Sequence, residues 1–373
     1  MKKQNLVFVG FRGAGKTKFG RLLAEKLNLP FADLDAEIEF VLGESIESCI
    51  DKGGFHIFRD VEQRVTHDFC RNFSGIVATG AGTIENSKNL QNLKKTGMFL
   101  FLNPTFSDVK KYLLSGGKFP RMNSDIPLAQ EIDQMWIQRK DIYAATSDIE
   151  ISPSLNPKDD INTEVEKIIA QIPQNMIPTP PKKKRIAVFS SSGGTTLQGI
   201  LDAQKRGRIP NVEFSLFVTD KKDAPALEKA KKAGIKNIQI IEPTEEQSRE
   251  DYDRGLINIL RENNPDSVLL LGWMRILSPI FCEQFGSITV NVHPSLLPKF
   301  AGLMDEDVHA QVLEHEEKWT GCTLHKTAAE VDTGEIVLQR KILVDEVNDD
   351  IQSLKIKVQK QEILGFCEFL EMR

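Results

Sequence analysis

The glycine-rich segment from Gly10 to Thr17, GFRGAGKT, carries residues suited to phosphate chemistry. It satisfies the pattern GxxxxGK[ST] and lies between the apolar run from Leu6 to Val9 and the helical pattern FGRLLAEKL. In this strand–loop–helix context, backbone N–H groups surround phosphates, the lysine reaches the β- and γ-phosphates, and the hydroxyl binds magnesium. We therefore predict a nucleoside triphosphate site formed by Gly10, Gly13, Gly15, Lys16 and Thr17.

Two acids follow the next apolar segment, FADLDAEIE from Phe31 to Glu39. We predict that this segment ends a second strand, whose period of two places Asp33 and Asp35 on the same face. Asp33 would then lie near the metal, and Asp35 would accept a proton from a substrate hydroxyl. The alternative is an ordinary acidic helix start.

A site for the substrate that accepts the phosphoryl group requires further binding residues, and three segments supply candidates. Arg59 lies in a helical stretch, Gly80-Ala81-Gly82 follows a predicted strand, and Arg139 precedes Tyr143 in RKDIY. Small residues would let a substrate lie against backbone amides. Two arginines that converge form a bidentate clamp for a carboxylate.

A second glycine-bearing loop, SSGGTTLQ from Ser191 to Gln198, follows a predicted strand from Arg185 to Ser190. It resembles a phosphate loop without the lysine. Backbone amides and two hydroxyls at a helix start suit one phosphate monoester, such as a ribose 5-phosphate. An N-capped helix that binds no ligand is an equally good interpretation of this segment alone.

A possible reaction site lies further along the chain. Asn291 and His293 lie on one face at the end of a predicted strand, and Asp332 lies in the loop of a predicted hairpin. An amide and an imidazolium can donate to an oxyanion, and the carboxylate could keep His293 protonated and relay protons. The segment from Gly272 to Ser278, GWMRILS, would suit a flat heteroaromatic ring with an acidic tail. Each residue alone is better explained by a structural role, but together they suggest a site.

The chain of 373 residues is long enough for two domains. The segment IPQNMIPTPPKKKRIA contains four prolines and a run of cations, so it predicts a linker. We place domains at 1–172 and 185–373, joined by a linker at 173–184. Alternating strands and helices after the linker predict an α/β domain with a mainly parallel, doubly wound sheet. The KKKR run could also be a nucleic-acid patch, although a solvated charge run is the more common meaning.

Bulk composition points to small-molecule ligands. The hydrophobic content is 40% and the net charge is −5, which argues against general nucleic-acid binding. Five scattered cysteines without CxxC spacing favour the reducing cytoplasm. The N-terminal MKKQNLVFVGF is like a signal peptide, but Arg12 interrupts its apolar run, so we expect a buried strand. No apolar segment reaches membrane-spanning length.

Residues 4–152 resemble shikimate kinase. The motifs GFRGAGKT, FADLDAEIE, GESI, IFRDVE, ATGAGT and the RxxxY at Arg139 follow that family's order. The resemblance implies a three-layer P-loop fold that transfers the γ-phosphoryl group of ATP, with Mg²⁺, to a shikimate hydroxyl. It also implies roles in shikimate binding for Asp35 as proton acceptor, for Arg59 and Arg139 on the carboxylate, and for Gly80 and Gly82.

Two positions depart from the shikimate kinase pattern. Ala81 stands where the family has the middle glycine, and the lid reads Lys118-Phe119-Pro120-Arg121 instead of opening with Arg-Pro. Phe119 cannot neutralise phosphate charge, so Lys118 or Arg121 must do so for full activity. An active kinase is our expectation. A slowed kinase, or a nucleotide-binding scaffold or sensor without activity, is the alternative.

Residues 185–370 resemble glycinamide ribonucleotide formyltransferase through GWMRILS, NVHPSLLP, FAGLMDEDVH, TGCTLH and VDTGEIVLQ. The resemblance implies attack of the glycinamide amine on the formyl carbon of 10-formyltetrahydrofolate. Asn291 and His293 would stabilise the oxyanion, and Asp332 would pair with His293. It further implies a folate site at Met274, Arg275, Ile276 and Leu277, extending along Thr327 to Asp332, and a ribonucleotide site at Gly194, Thr195, Thr196, Gln359 and Glu362.

Two related formyltransferase families differ from this sequence at informative positions. Methionyl-tRNA formyltransferase lacks the phosphate loop, and formyltetrahydrofolate deformylase usually has HHS where this chain has His293-Pro294-Ser295. The loop at Gly194 favours the nucleotide substrate, although Thr196 stands where the family has asparagine. We therefore expect a bifunctional enzyme of purine and aromatic amino-acid biosynthesis, with two independent sites.

Overall fold

The computed structural model describes residues 5–116, 121, 125–156, 159–179, 182–345 and 347–371. The chain separates into two compact units. The first comprises Met1–Pro181 and Arg206–Pro210, and the second comprises Lys182–Lys205 and Asn211–Arg373. Among the described residues, no helix combines the length and the apolar character needed to cross a membrane.

The first unit is built on a five-stranded parallel sheet. Its strands are β1 (Asn5–Val9), β2 (Phe31–Asp33), β3 (Gly75–Ala78), β4 (Gly97–Leu102) and β5 (Ile149–Ile151). Its helices are α1 (Lys16–Leu27), α2 (Leu34–Leu42), α3 (Ile46–Asn72), α4 (Ser87–Thr96), α5 (Phe106–Leu114), α6 (Leu128–Thr146) and α7 (Ile161–Gln171). The strand order is β2-β3-β1-β4-β5, and every pair is parallel. The loops that follow β1, β2 and β3 therefore open at one edge of the sheet.

Both faces of this sheet are covered, which gives three layers. Val7 and Val9 of β1 belong to one buried apolar cluster, and Leu6 and Phe8 belong to another on the opposite face. Helix α7 packs on the second cluster, as its apolar spacing predicts. Met176 and Ile177 pack on the same cluster, so the beginning of the predicted linker is part of the first unit's core.

One prediction about this unit is wrong. Strand β2 ends at Asp33, and α2 begins at Leu34, so Asp33 and Asp35 do not share a face of a strand. The Asp33 side chain accepts hydrogen bonds from the backbone N–H groups of Asp35 and Ala36. Aspartate is a preferred N-cap residue because its carboxylate satisfies N–H groups of the first helical turn. Asp35 therefore projects from the first turn of α2.

The second unit contains a seven-stranded sheet. Its strands are β6 (Lys184–Phe189), β7 (Val212–Thr219), β8 (Ile238–Ile240), β9 (Ser267–Leu270), β10 (Thr289–His293), β11 (Trp319–Lys326) and β12 (Ile336–Leu343). Its helices are α8 (Thr195–Lys205), α9 (Pro225–Lys232), α10 (Arg249–Asn263), α11 (Pro279–Phe285), α12 (Glu306–Glu314) and α13 (Ile351–Glu371).

The order of this sheet is β12-β11-β10-β9-β6-β7-β8. Strands β6 to β10 are mutually parallel, whereas β11 and β12 form an antiparallel pair at the edge. This pair is the predicted hairpin, with Asp332 in its connection. The predicted α/β class is confirmed for both units, and the carboxyl ends of β6, β9 and β10 open at one edge of the sheet.

Candidate active sites

The loop between β1 and α1 has the backbone conformation of a phosphate-binding loop. Gly10, Gly13 and Gly15 have φ angles of 144°, 75° and 89°. A β-carbon on Gly10 would lie 2.6 Å from the carbonyl oxygen of Leu102, so a side chain does not fit there. Helix α1 starts directly after Gly15, which places the positive end of its dipole at the loop.

A cavity of about 1030 Å³ joins this loop to the residues predicted to bind the phosphoryl acceptor. Gly13, Gly15, Lys16 and Thr17 line it on the phosphate side, and Asp35, Arg59, Gly80, Gly82 and Arg139 line it on the acceptor side. The structure thus brings most residues of the predicted kinase site to one cavity.

Lys16 is buried and Asp35 is half-buried in this cavity. The Lys16 Nζ atom donates to the carbonyl oxygens of Gly10 at 2.8 Å and Phe11 at 3.0 Å. Burial lowers the pKa of Lys16 to about 8, while the nearby Asp35 carboxylate acts in the opposite direction. Burial raises the pKa of Asp35 to about 7, and the negative charge of Asp33 adds to the effect. A carboxylate with a pKa near neutrality is suited to proton transfer.

Thr17 and Asp33 bring two side-chain oxygen atoms together at the end of the cavity near the glycine-rich loop. The Thr17 hydroxyl donates to Oδ2 of Asp33 at 2.5 Å. A hydroxyl and a carboxylate at this separation fit Mg²⁺, which prefers one or two protein oxygen ligands together with substrate phosphates. Asp33 ends β2 as predicted, and its role at a metal stays a prediction.

The two predicted clamp arginines converge, and an acid lies between them. Arg139 of α6 donates from Nε and Nη2 to the two carboxylate oxygens of Glu85, both at 2.8 Å. Arg59 of α3 lies 3.8 Å from the same carboxylate and donates to Glu62 at 2.7 Å. The clamp therefore has two internal carboxylate partners.

Gly80 and Gly82 leave room for the side chains around them. A β-carbon on Gly80 would lie 2.5 Å from Oδ1 of Asp35, and one on Gly82 would lie 2.4 Å from Nη2 of Arg59. These distances are too short for a side chain. Ala81, which replaces the middle glycine, accepts a hydrogen bond at its carbonyl oxygen from the Tyr143 hydroxyl at 2.6 Å.

The predicted lid is described only at Arg121, because Lys118, Phe119 and Pro120 lie outside the described residues. Arg121 donates from Nε to the carboxylate of Glu131 at 2.6 Å and from Nη2 to the carbonyl oxygen of Ile126 at 2.5 Å. Arg121 must leave Glu131 before it can neutralise a phosphate.

In the second unit, β10 and β11 bring an amide and a second histidine together. Asn291 pairs with His325 in the antiparallel register. The Asn291 Nδ2 atom lies 3.4 Å from Nε2 of His325. The sequence analysis quoted His325 within TGCTLH but gave it no role. His325 lies in the predicted hairpin, but only the register between β10 and β11 shows that it faces Asn291.

Asp332 contacts both histidines. Its Oδ2 lies 3.3 Å from Nδ1 of His293, and its Oδ1 lies 3.5 Å from Nε2 of His325. The backbone N–H of Gly302 also donates to Oδ2 at 2.9 Å. Asp332 has a φ angle of 58°, a conformation that aspartate tolerates better than most residues. Asn291, His293 and Asp332 are therefore brought together at the end of β10.

The protonation of His293 is set by opposing influences. Its Nε2 lies 3.0 Å from the carbonyl oxygen of Phe300, and its Nδ1 faces Asp332. Both neighbours are acceptors, so the doubly protonated ring suits the geometry. Burial nevertheless lowers the pKa of His293, against the opposing effects of Asp332 and Phe300. Asp332 thus acts in the predicted direction, but burial opposes it and is the larger effect.

The second glycine-bearing loop lies at the start of α8. Gly194 has a φ angle of 66°, and its carbonyl oxygen accepts a hydrogen bond from Lys229 at 3.1 Å. Lys229 thus supplies a cation that the loop sequence lacks, and the sequence analysis did not identify it. The Thr196 hydroxyl donates to Glu362 of α13 at 3.1 Å. Burial raises the pKa of Glu362 to about 7, against the effect of this hydrogen bond.

The remaining predicted ligand residues are placed as follows. Thr195 is exposed at the first turn of α8, and Gln359 is half-buried on α13. Met274 and Ile276 are exposed, whereas Leu277 is buried in an apolar cluster and cannot offer its side chain to a ligand. The Arg275 guanidinium stacks 4.2 Å from the ring centre of Tyr252.

The segment after β9 is hydrogen-bonded to the second glycine-bearing loop. The Ser191 N–H donates to the carbonyl oxygen of Gly272 at 3.0 Å, and the Ser191 hydroxyl accepts from the N–H of Met274 at 3.3 Å. The loops that follow β6 and β9 are therefore adjacent, as expected for ligand-binding loops of a doubly wound sheet.

Comparison with known families matches this division. A formyl transferase family model matches residues 184–370, and a shikimate kinase family model matches residues 12–173. The first match covers half of the chain, so the chain belongs to the formyl transferase family. It is a fusion in which a shikimate kinase-family unit precedes the formyl transferase unit.

Individual relatives resemble the second unit. Phosphoribosylglycinamide formyltransferase of Escherichia coli K12 is 40% identical over 177 residues, which cover 48% of this chain and 81% of that protein. The trifunctional purine biosynthetic protein adenosine-3 of Bos taurus is 35% identical over 201 residues. This match covers 53% of the present chain and only 19% of that protein. Among solved structures, glycinamide ribonucleotide transformylase 1 from Symbiobacterium toebii is 35% identical. The match covers 51% of this chain and 86% of the chain in that crystal structure, with a TM-score of 0.47.

Proposed function

We propose that the second unit transfers the formyl group of 10-formyltetrahydrofolate to the amine of glycinamide ribonucleotide. The observation that carries this proposal is the convergence of Asn291, His293 and Asp332, with separations of 3.3 to 3.5 Å among these residues and His325. The name of the Escherichia coli relative supports the choice of substrate.

The reaction forms a bond between the amine nitrogen and the formyl carbon, and breaks the bond between that carbon and N10 of the folate. Negative charge develops on the formyl oxygen, to which the amide of Asn291 would donate. One proton must pass from the amine to N10. The pair of His293 and Asp332 would hold and release that proton, because burial weakens its attachment to the imidazole.

The substrates would occupy the adjacent loops. Gly194, Thr195 and Thr196 would hold the ribonucleotide phosphate at the start of α8, with Gln359 and Glu362 of α13 beside it, and Met274 to Leu277 would border the folate. The hydrogen bond between Thr196 and Glu362 indicates that a phosphate here would compete with a carboxylate for the hydroxyl.

We propose that the first unit transfers the γ-phosphoryl group of ATP to shikimate. The cavity that contains both the phosphate loop and the two arginines supports this proposal. Asp35 would accept the proton of the attacking hydroxyl, and Lys16 would neutralise charge on the transferred phosphate. Thr17 and Asp33 would hold Mg²⁺, which would offset the remaining phosphate charge.

A second candidate function applies to the first unit, which would bind nucleotide without phosphorylating shikimate and act as a scaffold or sensor. The pairing of Glu85 with the clamp arginines favours this candidate. Shikimate-dependent ADP release from the purified full chain distinguishes the two. Formylation of glycinamide ribonucleotide, measured on the same preparation, tests the second unit and shows that this unit is folded.

A further inference from the structure

The arginines of the predicted carboxylate clamp are charge-balanced within the protein. Arg59 and Arg139 supply two positive charges, and Glu62 and Glu85 supply two negative charges in direct contact with them. The pair between Arg139 and Glu85 has two parallel hydrogen bonds of 2.8 Å, the strongest geometry for these groups. A ligand carboxylate therefore meets two arginines that already have carboxylate partners.

The two acids differ in how firmly they are held. The Glu62 side chain is 1% exposed, and its other oxygen accepts a hydrogen bond from the Thr83 hydroxyl at 2.8 Å. The Glu85 side chain is 35% exposed. Glu62 is thus a fixed partner that orients Arg59. Glu85 is accessible to solvent, so a ligand carboxylate can take its place and pair with the buried Arg139.

The backbone places Glu85 at the clamp. Thr83–Glu85 is a 3₁₀ turn directly after Gly82, and the Glu85 N–H donates to the Gly82 carbonyl oxygen at 3.1 Å. A β-carbon on Gly82 would lie 2.8 Å from Oε2 of Glu85 and 2.4 Å from Nη2 of Arg59. The glycine that lines the acceptor cavity therefore also makes room for this ion pair.

We propose that Glu85 is an internal counter-ion that competes with the carboxylate of the acceptor and thereby sets the acceptor selectivity of the first unit. The inference rests on the kinase function proposed above. A carboxylate acceptor must displace Glu85, so its apparent affinity is its affinity for the open clamp multiplied by the fraction of molecules in which the clamp is open. An acceptor without a carboxylate does not compete for the arginines and is not penalised.

The test measures binding to the full chain by isothermal titration calorimetry, without requiring turnover. The ligands are shikimate and its methyl ester, which has the same ring hydroxyls but no negative charge. The substitution Glu85→Gln keeps the shape and an oxygen acceptor for Arg139. Glu85→Ala is a second variant that removes this carboxylate from the clamp, and thermal unfolding of both variants verifies that they are folded.

The expected result is that Glu85→Gln lowers the Kd for shikimate by about tenfold or more and leaves the Kd for the methyl ester little changed. Glu47→Gln is the matched control, because Glu47 lines the same cavity and forms no ion pair with Arg59 or Arg139 among the described residues. It should not change the preference between the two ligands. Glu62→Gln should weaken shikimate binding, since it loosens Arg59.

Unchanged or weaker shikimate binding in both Glu85 variants would overturn the inference, as would an equal gain for the methyl ester. The proposed kinase function is judged separately by ADP release. If Glu85→Gln binds shikimate more tightly but neither it nor the native chain releases ADP, the counter-ion role holds and the kinase proposal fails. If ADP is released while the substitution leaves selectivity unchanged, the kinase proposal holds and the counter-ion role fails.

Discussion

The Nδ1 atom of His293 lies 3.3 Å from Oδ2 of Asp332, at the end of the strand that also presents Asn291. Asp332 comes from the connection between β11 and β12, so the contact joins the parallel part of the sheet to its antiparallel edge. Two residues that share a proton act as one unit, and removing either should remove most of what the pair contributes.

The first prediction is a strongly non-additive cycle for His293→Ala and Asp332→Asn. We expect each substitution to lower kcat for formyl transfer by about 10²-fold or more, because each interrupts proton transfer. The double variant should be about as active as the slower single variant. Steady-state kinetics with glycinamide ribonucleotide measure this directly, and losses that multiply would show that the two residues act independently.

The second prediction concerns Asn291, whose Nδ2 is 3.4 Å from His325 and is the amide donor at the end of β10. Asn291→Ala should lower kcat by about 10² to 10³, as the loss of an oxyanion donor does. The Kd of glycinamide ribonucleotide should remain nearly unchanged, because the amide acts on charge that develops during the reaction. A turnover number close to the native value would rule out this role.

The sequence predicts those parts of the sites that depend on local pattern. GxxxxGKT defines the phosphate loop, and the period of a strand predicts that Asn291 and His293 share a face. The position of Asp35 was predicted wrongly, because one residue, Asp33, both ends β2 and caps α2. The same letters fit a strand or a helix start, and the competition for N–H groups decides between them.

Contacts between distant segments could not be predicted from the sequence. His325 faces Asn291 only because β11 pairs with β10 in a particular register. Glu85 and Arg139 are far apart in the chain, and nothing in either segment indicates that they pair. Lys229 reaches the carbonyl oxygen of Gly194 from a separate helix. The long-range packing of side chains therefore determines the charge of each site, whereas local motifs determine where each site lies.

The third prediction is a pH-dependent cost to stability from Glu362. Its pKa is raised from 4.5 to about 7 in the folded protein, so the carboxyl group stabilises the fold below about pH 4.5 and loses that contribution as the pH rises through about 7. Relative to the native chain, Glu362→Gln should gain up to about 3 kcal/mol of unfolding free energy between pH 5 and 8.

Denaturant unfolding of the full chain at several pH values tests this prediction. Glu368→Gln, on the same helix but with a side chain 46% exposed, controls for the loss of one negative charge. If the two variants have the same pH dependence, the effect does not come from burial of Glu362.

The last prediction concerns the pH dependence of the first unit. Phosphoryl transfer would require Asp35 deprotonated, with a pKa of about 7, and Lys16 protonated, with a pKa of about 8. The rate constant kcat/KM for shikimate should therefore rise as the pH passes about 7 and fall above about 8, which gives a narrow bell.

Asp35→Asn should remove the ascending limb together with nearly all ADP release, while ATP still binds through Lys16 and the phosphate loop. Measuring ADP release across pH, together with the Kd for ATP, separates these effects. A flat profile between pH 6 and 9 would show that neither buried group titrates in the reaction, and retained turnover in Asp35→Asn would exclude this carboxylate as the proton acceptor.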